Sequence, residues 1–220
     1  MDRQARSQLG EYALHVTTPT VLFAPGAGGD PARYSALTDT IRDAGFHVIA
    51  PQSERLDPRT VTTAQLQARV DDLHRALAER SDIDSDVSVV GHSVGGWAAL
   101  CLAGAQPWGK DGQPIEVRAN LRVARLVLLA PTVGWFAAPG ALERVVAPMH
   151  IHVGSADAVT PPQTASLLLS APAQTSLYEH ANVGHFDFMT IMPPGVVPTP
   201  GLDHAAFLRE LAHTVAGQLA

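Results

Sequence analysis

Cysteine is almost missing from this chain. A single residue, Cys101, stands among 220, which excludes an internal disulfide and removes any need for an oxidising compartment. Aromatic residues are scarce at 5% and charged ones at 16%. The 46% of hydrophobic residues nevertheless makes the composition globular rather than disordered. Positive charge is in deficit, with 15 Lys and Arg against 21 Asp and Glu and a net charge of -6. That balance gives no support to binding of nucleic acid or an acidic membrane surface. No apolar run approaches the length of a membrane span. The polar N-terminus, MDRQARSQLGEY, has none of the apolar core of a signal peptide. The expectation is a cytoplasmic protein with no membrane span, its oligomeric state left open. At this length one α/β domain over residues 1–220 can bury a sizeable core.

What is present is organised around Val87 to Gly96, VSVVGHSVGG. The β-branched run reads as a buried strand, and Val94 to Gly104 reads as a helix. Between them lies G-x-S-x-G, the pattern of a nucleophile elbow. A serine at so tight a strand-to-helix turn is held in strained backbone geometry. Only glycine two residues before and two after it leaves room, and the first N–H groups of the new helix face the space above the hydroxyl.

Along the chain, strands alternate with helices. Tyr12–Val16 is a candidate edge strand, and Pro19–Ala24 the first buried one. Asp30 caps a helix over Pro31–Ala44 with proline at its first position, and a strand Phe46–Ala50 follows. Val61–Glu79 is a long amphipathic helix. After the elbow come an irregular excursion over 106–120 and a strand Leu126–Ala130. The segment from Pro131 to Pro148 is short, with a helical turn around Ala141–Val146. Then come a strand Met149–Val153, a helix from Pro161 to Leu169, a strand Thr175–Tyr178 and a closing helix Asp203–Leu219. Strands apolar on both faces imply a mostly parallel sheet with helices on both sides. In such sheets the site gathers at the carboxyl ends of the strands. Gly26–Gly29, Ser93, Asp157 and His185 all fall at those ends.

Serine needs a base to take its proton, and the base needs a carboxylate to hold its tautomer. Ser93, Asp157 and His185 follow the order along the chain that an elbow of this kind requires. His180 is a rival base, but it lacks the adjacent glycine. Asp187 is a rival acid, two residues beyond His185 and awkwardly placed to reach its imidazole. His92 is expected to pack beneath the elbow. His150 and His152 share a strand face at a spacing that metal sites also use. Without a carboxylate or thiolate companion they read as hydrogen-bonded structural histidines, so no metal is expected. Cys101 reads as core.

Gly26-Ala27-Gly28-Gly29 follows a strand and opens a helix, as a dinucleotide fingerprint would, with Glu54 at a tolerable distance for a ribose. Pro31 stands where the third glycine would be, and no cofactor is expected. The better reading is an oxyanion loop in which the backbone N–H groups of Ala27 and Val94 hold a tetrahedral oxyanion. The short segment over about 131–148 leaves no room for a large cap, so an open cleft lined by Trp135, Phe136 and Met189 is expected. The alternative for the two aromatics is that they only cover the sheet edge.

From about Thr20 onward the chain resembles the α/β-hydrolase superfamily. PGAGG, GHSVGGWAALCLAG, GSADAVTPP and GHFDF together look like the dienelactone-hydrolase-like serine esterases of bacteria. The resemblance implies Ser93 as nucleophile, Asp157 as acid, His185 as base, Ala27 and Val94 as oxyanion donors, and a small-molecule ester as substrate. Dienelactone hydrolases carry cysteine where this chain has Ser93, and many esterases of the superfamily have His-Gly where it has Pro25-Gly26. A thioesterase or amidase would use the same parts. The alternative outside catalysis is a binding protein of the same fold.

Overall fold

A computed structural model describes residues 18–80 and 86–220. The candidate edge strand Tyr12–Val16 lies outside the described residues. Six strands, β1 (Thr20–Ala24), β2 (His47–Ile49), β3 (Val87–His92), β4 (Val123–Leu129), β5 (Met149–Gly154) and β6 (Thr175–His180), form one sheet in the order β2-β1-β3-β4-β5-β6. Every pairing is parallel. The chain passes from β1 outward to β2 and then crosses back to β3 on the other side. The carboxyl ends of β1 and β3 therefore flank a topological switch point, where parallel sheets open a crevice.

Alternation along the strands sends side chains into two cores. Leu22, Ala24, Val87, Val89, Leu126 and Leu128 face one side, covered by α2 (Thr63–Ala78) and α3 (Val94–Leu102). Val21, Phe23, Val90, Val127 and Leu129 face the other, covered by α1 (Ser35–Asp43) and α4 (His204–Leu219). α3 is apolar all round and almost wholly buried, as a helix between sheet and outer helix must be.

Local chemistry sets the boundaries. Thr62 caps α2 through a reciprocal box with Gln65, which satisfies two first-turn donors. Asp203 caps α4 by accepting from the Ala206 N–H. Asp30 accepts from the Ala32 N–H, but the predicted helix after it opens as a 3-10 turn over Pro31–Tyr34 before becoming α-helical at Ser35. The expected helix after Pro161 is 3-10 throughout, Pro162–Ser170. There Thr164, Ser166 and Ser170 each donate a hydroxyl to the carbonyl three residues back, competing with an α-helical ladder. The region 131–148 holds only a 3-10 turn, Gly134–Phe136, and isolated turns. Among the described residues no helix is long and apolar enough to cross a membrane.

Candidate active site

The turn from β3 into α3 carries Ser93 at φ 56° and ψ -122°, a conformation that L-residues rarely adopt. A Cβ at Gly91 would run into the Gly95 backbone, and one at Gly95 into the Ala24 and Pro25 carbonyls. The two flanking glycines are thus a steric requirement of the turn. The Ser93 N–H donates to Leu129 O (2.9 Å), and Ser93 O accepts from Gly96, Trp97 and Thr132, so the strained residue is tied down on both sides.

Two other strand ends deliver the partners. His185 opens a 3-10 turn (His185–Phe188) shortly after β6, and its Nε2 lies 3.0 Å from Ser93 Oγ. Its Nδ1 lies 2.8 Å from Asp157 Oδ2, in the turn after β5. All three residues are buried. Asp157 Oδ1 accepts the N–H groups of Val159 and Thr160 (both 2.8 Å), and its Oδ2 accepts the Thr160 hydroxyl (2.8 Å). Burial pushes the Asp157 carboxyl up. The hydrogen bond and charge of His185, together with the Thr160 donors, outweigh it and hold the group below the ordinary carboxylate range.

The rival acid does different work. Asp187 takes the Gly184 N–H and the Thr199 hydroxyl on Oδ2 (2.6 Å each) and the Thr199 N–H on Oδ1 (3.1 Å). It stitches the loop that carries His185 instead of touching the imidazole. The rival base, His180, is paired through Nε2 with His152 Nδ1 (3.0 Å), and His152 Nε2 bonds Gln218 Oε1 (2.9 Å). His150 meets the Tyr178 hydroxyl (3.3 Å). Among the described residues no three His, Cys, Asp or Glu side chains are grouped to hold a metal. Glu54 accepts from Gln65 Nε2 at an exposed position.

His92 lies under the elbow. Its Nε2–H donates to the His185 carbonyl (3.0 Å) and its Nδ1 accepts from Tyr34 Oη (2.9 Å), which itself accepts from the Gly26 N–H (3.1 Å). Burial, reinforced by the neighbouring His185, pulls the His92 pKa down to about 3. Burial pushes the Tyr34 phenol up to about 12. Both stay neutral, so the chain of donors keeps its direction.

Ser93 opens onto a cleft of about 480 Å³ walled by Leu56, Val61, Leu66, Trp108 and Trp135, with Ala27, Val94 and Thr160 beside the serine. Among the described residues the N–H groups of Ala27 and Val94 meet no acceptor. Trp135 lines the cleft, but Phe136 and Met189 do not. A 3-10 turn rotates about a third of a circle per residue, so Phe136 turns inward and is buried among the α3-side core. Met189 ends the His185 turn with its N–H on Phe186 O and packs into the opposite core with Phe23 and Tyr34. Sequence reasoning missed Trp108. A tryptophan in the irregular excursion 106–120 was the available signal, and its backbone N–H clips to Trp135 O (2.8 Å).

Sheet order, crossovers and the elbow define an α/β-hydrolase fold. No protein-family model matches the sequence, and no curated protein matches it either. Solved structures do. A monoacylglycerol lipase from Paleococcus ferrophilus shares the fold at TM-score 0.60 and 15% identity, over 91% of this chain and 96% of that one. Esterase PE8 is similar at TM-score 0.53 and 21% identity, over 88% and 93%. Thermogutta terrifontis esterase 2, in a structure phosphoramylated by tabun, is similar at TM-score 0.58 and 16% identity, over 92% and 83%. At such identities the likeness speaks to the fold alone.

Proposed function

We propose that the chain is a serine hydrolase that cleaves a carboxylic ester with an apolar group of moderate size, through an acyl-enzyme. The observation that carries this is the unbroken line Ser93 Oγ–His185 Nε2 (3.0 Å) and His185 Nδ1–Asp157 Oδ2 (2.8 Å), which meets an apolar cleft at Ser93. His185 takes the Ser93 proton as Oγ attacks the ester carbonyl. Asp157 holds the tautomer and stabilises the imidazolium. The tetrahedral oxyanion is received by the N–H groups of Ala27 and Val94, donors that would otherwise be unpaired. Collapse expels the alcohol with the proton from His185. Water, deprotonated by the same imidazole, then releases the acid and regenerates Ser93. The walls of Leu66, Trp108 and Trp135 suit an apolar acyl or alcohol group.

A fluorophosphonate probe tests the reading. The parent should label at Ser93 and hydrolyse p-nitrophenyl esters. Ser93→Ala should keep its Tm, lose the label, and lose turnover by about 10⁶-fold. A folded parent that neither labels nor turns over would reject the hydrolase in favour of a binding protein.

A further inference from the structure

The inner face of α2 carries an arginine where its pattern calls for an apolar residue. Leu66, Val70, Leu73 and Leu77 form that face, and among them Arg69 is only 2% exposed. Among the described residues no carboxylate lies within ion-pair distance of it. A buried cation without a direct ion-pair partner is poor material for stability, so what its donors hold is informative. Nη1 donates to Pro25 O and Gly26 O (3.1 Å each), and Nη2 donates to Glu54 O (2.7 Å). Two of the three acceptors are consecutive carbonyls immediately before Ala27.

The same stretch is gripped from the other side. The Gly26 N–H is held by Tyr34 Oη, and a Cβ at Gly26 would come within about 3.0 Å of both Tyr34 Oη and His92 Nδ1. Two successive peptide planes are therefore pinned: the first by Pro25 O on Arg69 and Gly26 N–H on Tyr34, the second by Gly26 O on Arg69. Gly26 O also receives the Gly29 N–H (3.0 Å). In a trans peptide the C=O and the N–H of one plane point in opposite directions. Fixing Gly26 O on Arg69 thus turns the Ala27 N–H the other way, and Ala27 lines the same cleft as Ser93.

We propose that Arg69 is a positioning residue for the oxyanion site: it orients the Gly26–Ala27 peptide so that the Ala27 N–H faces Ser93, and it polarises that N–H by hydrogen bonding to the carbonyl of the same peptide. The inference rests on the serine-hydrolase reading above. A charged donor on the carbonyl draws electron density through the amide, and hydrogen bonds in series strengthen one another at low dielectric. The donor is thereby in place before any oxyanion forms, which is what such sites need to lower a barrier. Tyr34 extends the arrangement, because its hydroxyl also reaches His92 and, through it, the carbonyl of His185. One buried framework holds both the oxyanion donor and the backbone of the base.

The test compares the parent with Arg69→Met, Arg69→Lys, Arg69→Ala and Tyr34→Phe. The measurements are kcat and KM on a p-nitrophenyl ester, the second-order rate of fluorophosphonate labelling, near-ultraviolet circular dichroism and Tm. Arg69→Met should lower kcat and the labelling rate together by about 10²-fold, the low end of the loss of one oxyanion donor, with KM little changed. Arg69→Lys, which keeps the charge but not the fork, should fall between it and the parent. Millimolar guanidinium should restore part of the lost rate to Arg69→Ala without altering the parent. Should Arg69→Met fail to fold, Tyr34→Phe and Arg69→Lys carry the same readout, each losing kcat at constant KM. Folded Arg69 variants with parental kcat and labelling, or with a lowered Tm alone, would overturn the proposal and leave the hydrolase reading standing. A folded parent that takes no label would bring down both.

Discussion

Two histidine clusters in this molecule look alike at the level of hydrogen bonds and differ in what they can do. At the carboxyl end of the sheet, His185 has a partner on each ring nitrogen, at 2.8 and 3.0 Å. Between β5, β6 and α4, His152 also has a partner on each nitrogen, at 3.0 and 2.9 Å. Both imidazoles are buried. The partners separate them. His185 stands between an ionised carboxylate and a hydroxyl that faces a cleft. His152 stands between a second imidazole and an amide, and its ring stacks on Tyr178 at 4.8 Å. A carboxylate stabilises the imidazolium that proton transfer creates, whereas an amide and an imidazole with no anion nearby leave it desolvated. Burial and good distances do not mark a catalytic histidine; the charge of its partner and an opening to substrate do.

The two clusters should differ most at Asp157. Asp157→Asn should keep the fold and lower kcat on the order of 10⁴-fold, because the amide no longer holds the imidazole in the required tautomer. Steady-state kinetics on the purified variant checks this. His180→Ala strikes the other cluster and should leave kcat nearly untouched. It strips the partner from a buried ring nitrogen, so denaturant unfolding should show a loss of about 1–3 kcal/mol. If His180→Ala abolished turnover while His185→Ala spared it, the two clusters would exchange roles.

A further effect lies on the acid side of the stability curve and leaves turnover aside. Burial pulls the His152 pKa from 6.5 down to about 4. Between those values the unfolded chain holds a proton that the native state excludes, so the stability this group contributes is complete above about pH 6.5 and is lost as pH falls toward 4. The slope is about 1.4 kcal/mol per pH unit for one such group. His152→Gln should reduce the slope of unfolding free energy against pH by that amount in this window. An unchanged slope would place the titration elsewhere.

Much of the architecture is legible because its causes are local. The β-branched runs, the Asp30 cap and the glycines two residues either side of Ser93 act within a few residues of chain. They are enough for the parallel α/β class and for a serine in a strained elbow. The remaining features depend on residues far apart along the chain or on the turn of a single residue. Ser93 and His185 are 92 positions apart, and only the sheet order brings the ends of β3, β5 and β6 to one edge. Trp135 and Phe136 are adjacent and both aromatic, yet a 3-10 turn sends one to the cleft and the other to the core. Met189 follows a loop whose direction Asp187 sets. Arg69 reads in the sequence as one more polar residue on a long amphipathic helix. The packing of α2 against the loop after β1 buries it, and a buried guanidinium must satisfy its donors on whatever carbonyls that loop presents.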